Sequence, residues 1–152
     1  MYSIYEYIRG AFGSFSITTM LLLAGFLLQR LFGRRLISNA DRSAILYGAA
    51  MTGVVLYPTA LGLLPVDAYR LGYRPVFLLL LFLVLAISMW LLKYRAVAMF
   101  IVIAVIFFNL HALESYNLWD YLIDPFVALY ALGWTIYQLK SQSFKTFKTD
   151  NG

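Results

Sequence analysis

From Pro75 to Leu113 the sequence is strongly apolar and carries Lys or Arg at one place only, the tripeptide Lys93-Tyr94-Arg95. Read as one element, that run is far longer than a single membrane crossing, which needs about 20 residues within a range of about 17–25. Two such close cations cannot rest at mid-bilayer, so the break predicts a tight hairpin between helices at Pro75–Leu92 and Ala96–Leu113. Three more apolar stretches flank this pair, at Ser14–Phe32, Ser43–Leu64 and Pro125–Leu139. The last is short alone and reaches spanning length when the segment from Leu118 is added to it.

The expected fold is therefore all-α, a polytopic integral membrane protein with five transmembrane helices. The spans lie at about 14–32, 43–64, 75–92, 96–113 and 118–139, within one transmembrane domain over residues 1–140. A polar cytoplasmic tail follows at 141–152, with lysines placed to meet anionic headgroups. Composition supports lipid as the solvent. Hydrophobic residues make up 62% and charged ones 12%, against about 45–50% and about 25% in soluble domains.

Charge gives the orientation. With the N-terminus outside and the C-terminus inside, the cytoplasmic segments hold Arg30, Arg34, Arg35, Arg42, Lys93, Arg95, Lys140, Lys145 and Lys148. The outer segments hold only Arg9, Arg70 and Arg74. This is a positive-inside distribution. It also accounts for the net charge of +5 without a nucleic-acid partner, and none is expected.

The cationic flank of the first span follows the apolar run instead of preceding it, so the start reads as a retained anchor and not a cleavable signal. Ahead of it, Met1, Ile4, Tyr5, Ile8 and Phe12 recur at helical spacing, as in a short helix lying in the outer interface or an early start of the first span. Pro58 lies inside the second span and predicts a kink there. Pro65 and Pro75 mark boundaries.

The residue inventory removes several chemistries. With no cysteine, disulfides, thiol catalysis and cysteine-ligated metals are excluded. One histidine leaves no bis-histidine haem, and no cofactor or metal is expected. The centres of the five spans carry no ionisable side chain, only Thr18, Thr19, Thr52, Thr59, Ser88 and Asn109. That argues against an ion-coupled transporter built from one chain.

Polar chemistry instead gathers in "HALESYNLWDYLIDP", residues 111–125. On a helical wheel Asn117, Asp120 and Asp124 share one face, with Glu114 at its edge and His111 further round. This predicts an amphipathic interfacial helix, acidic towards water, before the last span. Asn117 three residues before Asp120, and Asp124 before Pro125, both resemble helix starts. Capping and solvation explain these acids without a function. As catalytic candidates they are Asp120, Asp124, His111 and Glu114, the last two one helical turn apart. Arg70 and Arg74, also one turn apart, could bind phosphate beside them. In the second span Gly48 with Thr52, and Ala49 with Gly53, form small-residue pairs suited to close helix packing; Ala128, Ala131 and Gly133 in the last helix could do the same.

The expected function is that of an accessory or scaffolding subunit of a larger membrane enzyme or transport complex. Its partners would be membrane lipids and either another membrane protein or a second copy. The compact bundle suggests a bacterial inner membrane. The alternative is an enzyme or binding protein for a lipid-linked, phosphate-containing substrate at the outer face, and the third possibility is an oligomeric channel or transporter.

Overall fold

The computed structural model describes residues 15–150, with side chains through Gln142. Its described residues form six α-helices and one 3₁₀ helix, with no strand. The interfacial helix expected before the first span lies outside the described residues, as does Arg9.

Helix α1 spans Ile17–Phe32 and α2 spans Asn39–Ala60. Each begins at a serine N-cap: Ser16 Oγ accepts from Thr19 N–H, and Ser38 Oγ from Asp41 N–H at 3.0 Å. Gly33, at φ 66°, closes α1 in the left-handed conformation, its N–H donating to the Gln29 carbonyl. Pro58 lies inside α2, in its last turn, and the helix ends two residues later at Ala60; Thr59 Oγ1 donates to the Leu56 carbonyl at 2.7 Å.

A 3₁₀ turn, Tyr69–Tyr73, precedes α3 (Val76–Leu91). The hairpin to α4 (Arg95–Asn109) is made as the cations predict: Lys93 adopts φ 68°, and Tyr94 N–H reaches back to the Met89 carbonyl at 2.9 Å. A five-residue helix, α5 (Leu118–Leu122), then leads to α6 (Pro125–Asp150). The tail from residue 141 continues α6 instead of departing from it, because no proline or glycine interrupts the chain between Gly133 and Asp150.

The most extensive packing joins α2 to α6, followed by α3 on α4. Along the α2–α6 seam Leu46 and Ala50 meet Ala131, and the Tyr47 and Trp134 rings cross edge to face at 5.2 Å. Gly53 faces Ala128 so closely that an added Cβ would stand 2.8 Å from the Ala128 methyl. Gly48 has open space instead. With Ala49 and Thr52 it lines a crevice of about 130 Å³ below Trp119, facing Phe82 and Phe100.

By length and composition α2, with 22 residues, is the one described helix that can cross a membrane unaided. Helices α1, α3 and α4 are apolar but shorter, at 16, 16 and 15 residues. Only the first turn of α1 is buried. From Leu23 onward its side chains face outward, Phe26 at 60% and Leu31 at 73% exposure.

Gly53→Ala therefore drives a methyl into Ala128 and should cost about 1–3 kcal/mol, read as a lowered unfolding midpoint in detergent. Gly48→Ala meets nothing and gains helix propensity, so its midpoint should hold or rise. Equal losses at the two glycines would contradict this packing.

Candidate functional site

The residues of 111–125 do not form one helical face. Helix α4 stops at Asn109, and α5 is only five residues long. At Ile123 the backbone becomes extended, with φ −147° and ψ 142°. Each break rotates the side chains that follow, so the expected water-facing acidic stripe is absent. Asn117 and Asp124 point inward and are buried.

Asp124 has 4% exposure and is the N-cap of α6. Its Oδ1 accepts from Val127 N–H at 2.9 Å. Pro125 occupies the first helical position, where its missing N–H costs nothing. Oδ2 turns to the start of α1, accepting from Ser16 N–H at 2.8 Å, Ser16 Oγ at 2.7 Å and the Thr19 hydroxyl. One carboxylate thus serves the N-termini of two helices, whose dipoles both favour an anion there. Every donor on it keeps its own proton, so the site stabilises the ionised acid without a cation.

Asp120 is half-buried and closes a second network. Tyr69 Oη donates to its Oδ1 at 2.8 Å and reaches Oδ2 at 3.0 Å, and the Ser115 hydroxyl also donates to Oδ2. Burial, then the Asp120 carboxylate, push the Tyr69 hydroxyl above the usual phenol range. Around it, Asn117 Nδ2 donates to the Tyr69 carbonyl at 3.0 Å, and Trp119 Nε1 to the Ala68 carbonyl at 3.1 Å. Tyr121 Oη takes the Leu113 N–H at 3.0 Å while donating towards the Leu113 carbonyl. Gly72 allows the approach, since a Cβ there would collide with the Asn117 amide and the Trp119 ring.

These bonds fasten the 111–125 segment to the 3₁₀ turn. Among the described residues both carboxylates are met by hydroxyl and amide donors, not by Arg70 or Arg74, whose side chains are exposed. Arg70 joins the fold through its N–H, which donates to Asp67 Oδ1 at 3.1 Å. His111 and Glu114 are exposed and do not sit one helical turn apart, because His111 has left the helix at φ 51°. Its ring stacks on Phe108 and meets Tyr116 edge-on, at centroid distances of 6.4 and 5.8 Å.

Sequence reasoning passed over Asp41. It is buried, accepts from the Ser38 hydroxyl at 2.6 Å, and its other oxygen accepts from Ala96 N–H at 3.1 Å. It thus joins the starts of α2 and α4 as Asp124 joins those of α1 and α6. The signal was a serine followed three residues later by an acid, Ser38 to Asp41, a capping-box pattern. Among the described residues no group of three His, Asp or Glu side chains could hold one metal ion.

Comparison with protein-family models, with curated proteins and with solved structures finds no match.

Asp124→Asn turns one acceptor oxygen into an N–H₂ facing Ser16, so donors confront donors. The expected loss is about 1.5–3 kcal/mol, seen as an earlier detergent-induced or thermal unfolding of α1 from α6; an unshifted midpoint would count against the shared cap. Tyr69→Phe tests the second network through pH. A raised folded-state phenol stabilises fully below its unfolded value of about 10 and loses that contribution as pH climbs through the folded value. The stability gap between wild type and Tyr69→Phe should therefore shrink in alkali; a constant gap would exclude the Tyr69–Asp120 hydrogen bond as its source.

Proposed function

We propose that the chain is a five-span membrane protein, N-terminus out and C-terminus in, that serves as an accessory or scaffolding subunit of a larger membrane assembly, in a cytoplasmic membrane of bacterial type. One observation carries the reading. The buried and half-buried acids are committed to holding helices and loops together, while large apolar side chains cover the outside of the bundle. Leu23, Phe26, Leu27, Leu31 and Phe32 on α1, Val76, Phe77 and Leu80 on α3, and Phe126 and Leu129 on α6 all face outward. Water would not tolerate that much contiguous apolar surface; lipid and partner helices would.

Several features support the span count. Helices α1, α3 and α4, at 15–16 residues, rise about 24 Å at 1.5 Å per residue, slightly under a hydrocarbon thickness of about 30 Å. Local thinning and apolar flanks accommodate such a deficit at small cost. The cation distribution supports the orientation. The second half of α1 is the favoured docking element, since the bundle itself leaves it uncovered.

An accessory role would be tested by isolating the tagged chain in mild detergent with its companions. Phe26→Ala combined with Leu31→Ala should release a stoichiometric partner while leaving the unfolding midpoint unchanged, because neither side chain is packed in the bundle. A chain that travels alone, or a partner indifferent to both changes, would overturn this reading in favour of an outer-face lipid-phosphate site at Arg70 and Arg74. Topology has a separate test, simplified by the absence of cysteine. Tyr73→Cys should react with an impermeant maleimide on intact cells and Arg34→Cys only after permeabilisation; labelling of both from one side would sink the five-span arrangement.

A further inference from the structure

An apolar groove of about 410 Å³ runs along the α3–α4 hairpin. Its walls are Leu83, Ile87 and Trp90 from α3 with Met99, Val102 and Ile103 from α4. Its depth comes from Ala86 and Ala98, both buried, whose small side chains leave the space that larger ones would fill. Trp90 stands at the end of the groove nearest the hairpin turn, and the Arg95 guanidinium lies over its ring, 5.7 Å from the centroid. Lys93 is exposed at the tip of the same turn, its backbone at φ 68°. Asp41, in the first turn of α2, is buried and its carboxylate oxygens are bonded to the Ser38 hydroxyl and the Ala96 N–H, not to these two cations.

The result is an apolar slot with an indole and two exposed cations at one end. We propose that it binds one anionic phospholipid of the cytoplasmic leaflet, an acyl chain lying in the slot and the phosphate meeting Arg95 and Lys93. The proposal rests on the five-span topology above, which puts this turn at the cytoplasmic surface. Charge complementarity selects the occupant. An uncharged lipid or an apolar partner helix would fill the slot equally well but would leave both cations unanswered. The arginine fork matches two phosphate oxygens at once, and indoles favour headgroup depth.

Trp90 makes the site readable. In phosphatidylcholine vesicles, lipids brominated on the acyl chain quench a tryptophan they touch, and the Trp90 share is obtained by difference from Trp90→Phe. Brominated phosphatidylglycerol should quench Trp90 at about one fifth of the mole fraction that brominated phosphatidylcholine requires, or less, since each cation near an anionic headgroup contributes about fivefold. Lys93→Gln with Arg95→Gln should abolish that preference without removing the quenching, and Arg95→Lys should keep part of it. Equal quenching of the wild-type protein by the two lipids would overturn the proposal and leave the topology standing. A preference that survives in the double variant would overturn it too. Failure of either lipid to quench Trp90 at all would overturn it together with the membrane topology on which it rests.

Discussion

Two carboxylates, each shared by two helix N-termini, tie four helices of this bundle together in pairs. The first backbone N–H groups of a helix have no partner within it, and an apolar surrounding offers no water to supply one. Asp124 answers for α1 and α6, and Asp41 for α2 and α4. The pairing follows from direction. In an alternating bundle α1 and α6 begin at one end and α2 and α4 at the other, so two acids reach all four starts. Helix α3 has no such acid: it starts behind Pro75, which lacks an N–H and makes no side-chain cap. It is placed by its hairpin with α4 and by the 3₁₀ turn.

Neither shared acid relies on a salt bridge to its helices. A buried ion pair must offset the desolvation of two charges, and often fails to. Here one charge is desolvated and met by fixed N–H and hydroxyl donors, with two helix dipoles aligned towards it. At the Asp124 end this is reinforced by the Tyr69–Asp120–Ser115 network and the Asn117 and Trp119 bonds to the 67–73 turn. That end is therefore rigidly cross-linked. At the other end Asp41 fixes α2 to α4, while the second half of α1 is largely exposed, with Ile37 of the following loop beside Gly25.

These contacts divide what the sequence could disclose from what it could not. Local signals were legible: the cations at 93–95 marked the hairpin, Asp124-Pro125 marked the start of α6, and continuous apolar runs marked the helices. What failed was the assumption that residues 111–125 share one helical period. Two short breaks, after Asn109 and at Ile123, turned a water-facing acid into a buried one, and nothing local to Asp124 names Ser16 as its partner 108 residues away. Asp41 was half legible. Ser38 followed by Asp41 encodes a cap for α2, but its second duty to Ala96 is a fact of topology. Gly48 and Gly53 differ for the same reason. Both belong to small-residue pairs, and only the seam with α6 decides that Gly53 meets Ala128 while Gly48 faces a crevice.

The same allocation of polar groups shapes what is left for recognition. In lipid, apolar faces gain little from meeting one another, because acyl chains are as apolar as leucine; association must come from shape and from polar groups at helix ends. Here the aspartates and the asparagine of one end, Asp120, Asp124 and Asn117, are engaged in holding the fold, while Arg70, Arg74, His111 and Glu114 are exposed. Those still exposed at the other end are cations, Arg34 and Arg35 beyond α1 and Lys93 and Arg95 at the hairpin, each beside uncovered apolar surface. The α1 anchor at Asp124 belongs to the same division: three donors of its first turn, the Ser16 N–H, the Ser16 hydroxyl and the Thr19 hydroxyl, hold it to the bundle, while its second half is exposed.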